Sequence, residues 1–213
     1  MKTNLEAVIA AAGKSLRMGT PKQLLFFAGM PLAAFAIRRL RAAGVKDITL
    51  VVGCYKEKVL KAVEKLDVKI AENHIPNSEM IDSIRAGLEN VSGNASGVMI
   101  VPVDSCFASA ITLEALMALH LEKPERFIRP YWDNRGGHPL IIPAGYIRDI
   151  KNKDLQSLRH LVRQKQDIIN MHCTDPGAFL DLDTLADYKR ALDMETVAEN
   201  LEQMPFEQGT YKG

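Results

Sequence analysis

Apolar runs of strand length alternate with amphipathic stretches of helix length along the first 120 residues. Residues 6–11, 47–52, 68–72 and 98–103 are short and mostly apolar, and 98–103 is apolar throughout. Between them, residues 32–43, 55–65, 80–90 and 109–120 repeat apolar positions every three or four residues, the helical period. Pro31 can open the first helix and Gly44 stops it, while lysines supply a solvated face on the second. Such strand–helix alternation predicts a parallel sheet covered on both faces. Ligands in such folds lie beyond the carboxyl ends of the strands. The loops after Ala11, Asn73 and Asp104 should therefore meet at one edge.

After Lys123 the rhythm changes. Residues 126–131 and 140–142 read as strands that bracket Trp132-Asp133-Asn134-Arg135-Gly136-Gly137-His138-Pro139. A helix is expected over 155–165, short strands over 168–172 and 179–182, and a last helix capped by Thr184, with Asp187 at its third position, ending near Leu192. No linker, repeat or low-complexity tract interrupts the pattern. The reading is one α/β domain over 1–193 with a substrate-facing insertion, followed by a tail over 194–213.

Composition narrows the function. A net charge of +1 and 25% charged residues leave no bulk electrostatic grip on nucleic acid or acidic membranes. No apolar stretch is long enough to span a bilayer, and the first residues lack a signal-peptide core, so the expected location is the cytoplasm. Cys54, Cys106 and Cys173 are far apart and form no C-x-x-C pair, which argues for buried reduced thiols instead of a zinc site or disulfides.

The chemistry concentrates after the first strand. Gly13 and Gly19 bound a loop that, with its exit, carries the cations Lys14, Arg17 and Lys22. A glycine-bounded basic loop beyond a strand suits a polyanion such as a nucleoside triphosphate. It is not a P-loop, because Val8 stands where that motif needs glycine, and Gly-x-Gly-x-x-Gly is also absent. Asp104 follows the fourth strand and is presented at the ligand edge. Asp181 and Asp183 are two apart, so an extended segment points both to one side. Two carboxylates there call for a neutralising group such as Mg²⁺, or else Asp181 is exposed and Asp183 helps cap the next helix.

The segment Ala11-Ala12-Gly13-Lys14-Ser15-Leu16-Arg17-Met18-Gly19-Thr20-Pro21-Lys22-Gln23-Leu24-Leu25 resembles the signature loop of the MobA-like nucleotidyltransferases, and within them the molybdenum cofactor cytidylyltransferases. The resemblance implies a three-layer α/β/α sandwich of the nucleotidyltransferase type (GT-A-like, Rossmann-like) with one antiparallel strand. It implies an enzyme that joins an NTP α-phosphate to a phosphate-bearing acceptor and releases pyrophosphate. Ala11, Ala12, Gly13, Lys14, Ser15, Asn73 and Ser83 would bind nucleotide; Arg17 and Lys22 would neutralise the triphosphate and act with Asp104 in catalysis. Asp104 and Asp183, with Asp181 as the lesser match, would hold Mg²⁺. Arg135, Gly137 and His138 match an Arg-x-Gly-His-Pro loop beside the acceptor, expected to be molybdopterin. A molybdoenzyme or its insertion factor is a further expected partner.

Four departures from the family pattern bear on activity. Ser105-Cys106 replaces Gln-Pro, Glu79 replaces glycine, Asp82 adds charge near the triphosphate, and Gly136 replaces a basic residue. A sugar- or alcohol-phosphate nucleotidyltransferase and a non-catalytic nucleotide- or pterin-binding insertion chaperone are the alternative expectations. Ala12, where guanylyltransferases of the family carry glycine, favours CTP over GTP.

Overall fold

A computed structural model describes residues 4–15, 18–164 and 167–203. In chain order the elements are β1 (Leu5–Ala10), β2 (Phe26–Phe27), β3 (Met30–Pro31), α1 (Leu32–Ala42), β4 (Ile48–Val52), α2 (Lys56–Val63), β5 (Lys69–Glu72) and α3 (Met80–Leu88). There follow β6 (Gly97–Pro102), α4 (Ala110–Glu122), β7 (Phe127–Trp132), β8 (Arg135–Gly136), β9 (Leu140–Pro143), α5 (Ile147–Lys151), α6 (Leu158–Gln164), β10 (Ile168–His172) and α7 (Leu185–Gln203).

The central sheet runs β10-β7-β9-β6-β1-β4-β5, with β8 paired to β7. β1 is parallel to both β6 and β4, and β5 to β4. β9 enters between β6 and β7 and is antiparallel to both. The three-layer, mostly parallel sandwich with an antiparallel strand that the family resemblance implied is therefore present. Continuous apolar runs form the central strands because both faces are covered: every residue of β4 and β6 is buried. One apolar cluster lies under α1, α2 and α4, and a second under α3 and α6.

Helix α3 lies flush on the sheet. A Cβ at Gly87 would collide with Val8 and would come within 2.9 Å of a Val51 methyl, so only glycine permits this approach to β1 and β4. Its N-terminus is closed by a reciprocal capping box between Glu79 and Asp82, with the Glu79 N–H donating to Asp82 Oδ2 at 3.0 Å.

Three expectations change. Residues 179–182 do not form a strand: a 3₁₀ turn over Pro176–Phe179, initiated by Asp175, is followed by an irregular stretch. The Leu182 N–H donates to the Asp104 carbonyl there, so the segment is held by the end of β6 and not by a sheet partner. The helix expected over 155–165 starts only at Leu158, after a separate short α5 that the sequence pattern did not reveal. The last helix continues past Leu192 to Gln203, while the rest of the expected tail lies outside the described residues. The three cysteines are free; Cys106 and Cys173 are buried, but Cys54 is exposed. No helix among the described residues is long and apolar enough to cross a membrane.

Candidate active site

Two clefts open at the carboxyl edge of the sheet and share the Glu79–Met80 edge at the start of α3. The smaller, about 560 Å³, gathers the loops after β1, β5 and β6. Ala12, Gly13, Lys14, Ser15, Lys22, Asn73, Ser83 and Asp104 all line it. Ala11 is buried behind it, and Arg17 lies outside the described residues.

The first loop is braced by its own polar groups. Ser15 takes φ 53, and its hydroxyl accepts from the Lys22 N–H at 2.9 Å. The buried Gln23 amide donates to the Gly13 carbonyl at 3.3 Å, and the Tyr55 hydroxyl to the Lys14 carbonyl at 3.3 Å. Lys14 reaches across the cleft to Asn77 Oδ1 at 2.7 Å. Asn73 donates to Ser83 Oγ at 3.0 Å, which joins the loop after β5 to α3. Ala12 packs against Gly53, where a Cβ would come within 2.9 Å of its own.

At the inner end of this cleft, Lys22 Nζ donates to Asp104 Oδ2 and Asp183 Oδ1, both at 2.9 Å. Burial alone would lower the Lys22 pKa; hydrogen bonding and charge attraction from the two aspartates outweigh it, and the ammonium is held above its ordinary value. The two carboxylates thus converge on one cationic point from positions 79 residues apart in the chain. That convergence fits a divalent cation with two protein carboxylates and further oxygen ligands from phosphate and water, the pattern Mg²⁺ favours. Among the described residues no group of three His, Cys, Asp or Glu side chains forms a fuller cage.

Asp181 does not join that pair. Without a strand over 179–182, alternation no longer sets its direction; it accepts from Ser105 Oγ at 2.6 Å and from Arg135 Nη2 at 3.0 Å. Ser105, one of the altered positions, thereby fastens Asp181 and, through it, Arg135.

The larger cleft, about 830 Å³, contains Arg135, Gly137 and His138. Gly137 is dictated by contact, since a Cβ there would come within 3.0 Å of the Phe179 ring. The His138 N–H donates to the Ala178 carbonyl at 2.8 Å, while the buried ring Nδ1 has no partner among the described residues. Burial lowers the His138 pKa, with Asp181 and Asp104 opposing and Arg135 and Arg129 adding to the shift; the ring is therefore neutral near pH 7. Gly136 leaves room for the Arg129 guanidinium, which a Cβ would meet at 2.6 Å. The basic group absent at 136 is thus supplied from β7.

The charge concern at Asp82 also resolves. Asp82 accepts from Arg85 Nη1 at 3.1 Å and from the Glu79 N–H, so its charge is spent inside α3. Sequence reasoning missed Gln23, Tyr55, Arg129, Arg159 and Arg163. Gln23 sits inside the recognised loop, and Arg159 and Arg163 are spaced i, i+4 on one helical face, but nothing in that spacing alone tells which cleft they flank.

A basic glycine-bounded loop, two converging carboxylates and a second cleft beside them thus lie together on the carboxyl edge of a mixed sheet. Residues 7–168 match the family model of the MobA-like NTP transferase domain, and the chain belongs to that family. It is 28% identical over 186 residues to the bifunctional protein GlmU of Pelotomaculum thermopropionicum, covering 84% of this chain and 40% of that one. The 2-C-methyl-D-erythritol 4-phosphate cytidylyltransferase of the same organism is 35% identical over 101 residues, covering 45% and 42%. The chain therefore spans well under half the length of these curated relatives. Solved structures share the fold: a nucleotidyl transferase from Methanothermobacter thermautotroptrophicus (TM-score 0.77, 20% identity, 91% and 98% covered) and Rv0371c from Mycobacterium tuberculosis H37Rv in complex with manganese (TM-score 0.71, 21%, 91% and 100%). Molybdopterin-guanine dinucleotide biosynthesis protein A from Archaeoglobus fulgidus aligns with a TM-score of 0.65 at 14% identity, covering 91% and 99%.

Proposed function

We propose that this chain transfers the nucleotidyl group of an NTP, CTP by preference, to a phosphate-bearing acceptor and releases pyrophosphate, and that the acceptor is the molybdopterin cofactor. The observation that carries the reading is the sharing of one edge by the two clefts, with Lys22, Asp104 and Asp183 at the inner end of the smaller one. An acceptor phosphate oxygen attacks the α-phosphorus, and the bond from that phosphorus to the bridging oxygen of the β-phosphate breaks. No protein nucleophile is needed, because positioning and charge neutralisation carry phosphoryl transfer.

The chain's own groups have definite parts in this scheme. Backbone of the 12–15 loop holds the base and phosphates. Lys22 exchanges its carboxylate partners for β- and γ-phosphate oxygens, and Arg17 assists. Asp104 and Asp183 would hold Mg²⁺, which supplies charge neutralisation and orients the triphosphate when bound. Arg135, fixed by Asp181, and the neutral His138 orient the acceptor phosphate.

The molybdopterin reading draws support from the family match and from the printed name of the Archaeoglobus structure. A second reading, an alcohol- or sugar-phosphate acceptor, is favoured by the cytidylyltransferase relative, whose name specifies 2-C-methyl-D-erythritol 4-phosphate. The engagement of Asp82 by Arg85 removes one argument for a non-catalytic chaperone. The test is pyrophosphate release from each of four NTPs, with molybdopterin, 2-C-methyl-D-erythritol 4-phosphate or a sugar 1-phosphate. Release with CTP and molybdopterin is expected. Release only with another acceptor moves the protein to the second reading, and none with any pair overturns transfer altogether.

A further inference from the structure

Lys22 stands where Asp104 and Asp183 would hold a metal. Its Nζ lies 2.9 Å from Asp104 Oδ2 and 2.9 Å from Asp183 Oδ1, on a side chain only 10% exposed. The two carboxylates are fixed by main-chain contacts. Asp104 sits in a 3₁₀ turn over Val103–Ser105 at the end of β6, and its carbonyl accepts from the Leu182 N–H at 2.9 Å. The Asp183 N–H donates to Asp187 Oδ2 at 3.2 Å. The segments that carry the two carboxylates are thus clamped to each other. The cation between them instead rides on a long, rotatable stem. The Lys22 N–H is held by Ser15 Oγ at 2.9 Å, so the ammonium can leave without any movement of the loop backbone.

A metal of the Mg²⁺ kind binds carboxylate oxygens at about 2.1 Å. Bound to Asp104 Oδ2 and Asp183 Oδ1, it would fall between the same two atoms as the ammonium. Bound to the other oxygens of the pair, it would still lie within a few ångströms of that ammonium, and like charges so close in a part-buried site repel strongly. The two cations therefore exclude each other. Lys14 lines the same cleft but is placed differently: its partner is the neutral amide oxygen of Asn77, at 2.7 Å. One lysine of the cleft keeps its charge for an incoming polyanion, and the other closes the metal position.

We propose that Lys22 is a resident placeholder that keeps divalent metal out of the nucleotide-free protein, so that metal and triphosphate enter together. The inference rests on the reading of Asp104 and Asp183 as metal ligands and adds a binding order to it. The β- and γ-phosphate oxygens draw the Lys22 ammonium away, and Asp104 and Asp183 become available to the metal only then. Once pyrophosphate leaves, the ammonium returns to the pair.

Mn²⁺ serves as the probe, with its free concentration read by electron paramagnetic resonance in titrations of the full-length chain without nucleotide. Lys22→Met should bind it at least about tenfold more tightly than the wild type, the scale of one charge-assisted contact. Methionine keeps the unbranched stem and drops the charge, and circular dichroism checks that the variant folds. Adding Asp104→Asn to Lys22→Met should erase the gain. A second measurement needs no variant: acetylation of lysines by an N-hydroxysuccinimide ester, read by peptide mass spectrometry. Saturating Mn²⁺ should speed acetylation of Lys22 severalfold and leave the exposed Lys58 on α2 unchanged. Equal Mn²⁺ affinity in the wild type and Lys22→Met overturns the inference. So does a gain that survives Asp104→Asn, or Lys22 acetylation that Mn²⁺ does not alter. Failure of the proposed function shows separately, as absent CTP binding or absent pyrophosphate release, since none of these measurements contains nucleotide or acceptor.

Discussion

The two clefts are neighbours but are assembled differently. The smaller is built around one contiguous loop, residues 12–23, whose serine, glutamine and lysine brace each other within eleven positions. The larger draws on α3, β7 to β9, α6 and the 3₁₀ turn before Leu180, segments spread over 100 residues. In the first, Lys22 is already paired with two carboxylates and must exchange partners to meet a ligand. In the second, Arg135 is paired with Asp181, while Arg129, Arg159 and Arg163 have no ion pair with an acidic side chain among the described residues. The contrast suits a division of labour: a stereotyped handle for the triphosphate and an adaptable surface for whatever is joined to it.

The comparison can be broken most forcefully at Asp104. Asp104→Ala should lower turnover by roughly 10²-fold or more, the scale of removing one preorganised electrostatic contact. Initial-rate measurements on folded variant would refute the assignment if they stayed near wild type with Mg²⁺ present. Lys22→Ala should come next, weakening CTP by about 10- to 100-fold, the worth of a charge-assisted contact, while leaving CMP nearly unaffected. Equal losses for both nucleotides would move Lys22 away from the β- and γ-phosphates.

Base choice offers a finer test. Ala12→Gly removes one methyl at the cleft margin, which should relax the CTP preference over GTP by up to roughly tenfold. Competition binding decides it, and a wild-type preference for GTP reverses the assignment of base. The smallest effect expected is on stability. The Lys22 ammonium is held above its ordinary value of 10.5, so the folded state keeps this proton to higher pH than the unfolded chain. That contribution is fully present below about 10.5 and disappears as pH climbs through the raised folded value. Thermal melts between pH 9 and 12 should show a loss in the wild type that is shallower in Lys22→Met.

What could be read from sequence follows the same division. Local patterns disclosed most of the sheet strands and the first loop, whereas the preference for Asp183 over Asp181 came from the family resemblance. Glu79 and Asp82 are three apart at a helix start, so their capping box was legible as a short-range signal although their charge drew attention first. The Ser105–Asp181 contact joins residues 76 apart and has no local trace. Asp181 was misdirected for a definite reason: the alternation of strands was applied to a segment that Asp175 and Pro176 turn into a 3₁₀ turn. Arg129 was hidden because its place against Gly136 depends on the pairing of β7 with β8.

The absent side chain at Gly87 acts as a height gauge for the whole catalytic edge. Because α3 rests directly on Val8 and Val51, the level of its first turn above the sheet is fixed from the far end of the helix, about 10 Å away. Glu79 and Met80 on that turn are the partition between the two clefts. A methyl group inserted at 87 would lift the helix and shift the partition for both substrates together, so a change touching neither ligand would put the two reactants out of alignment with each other.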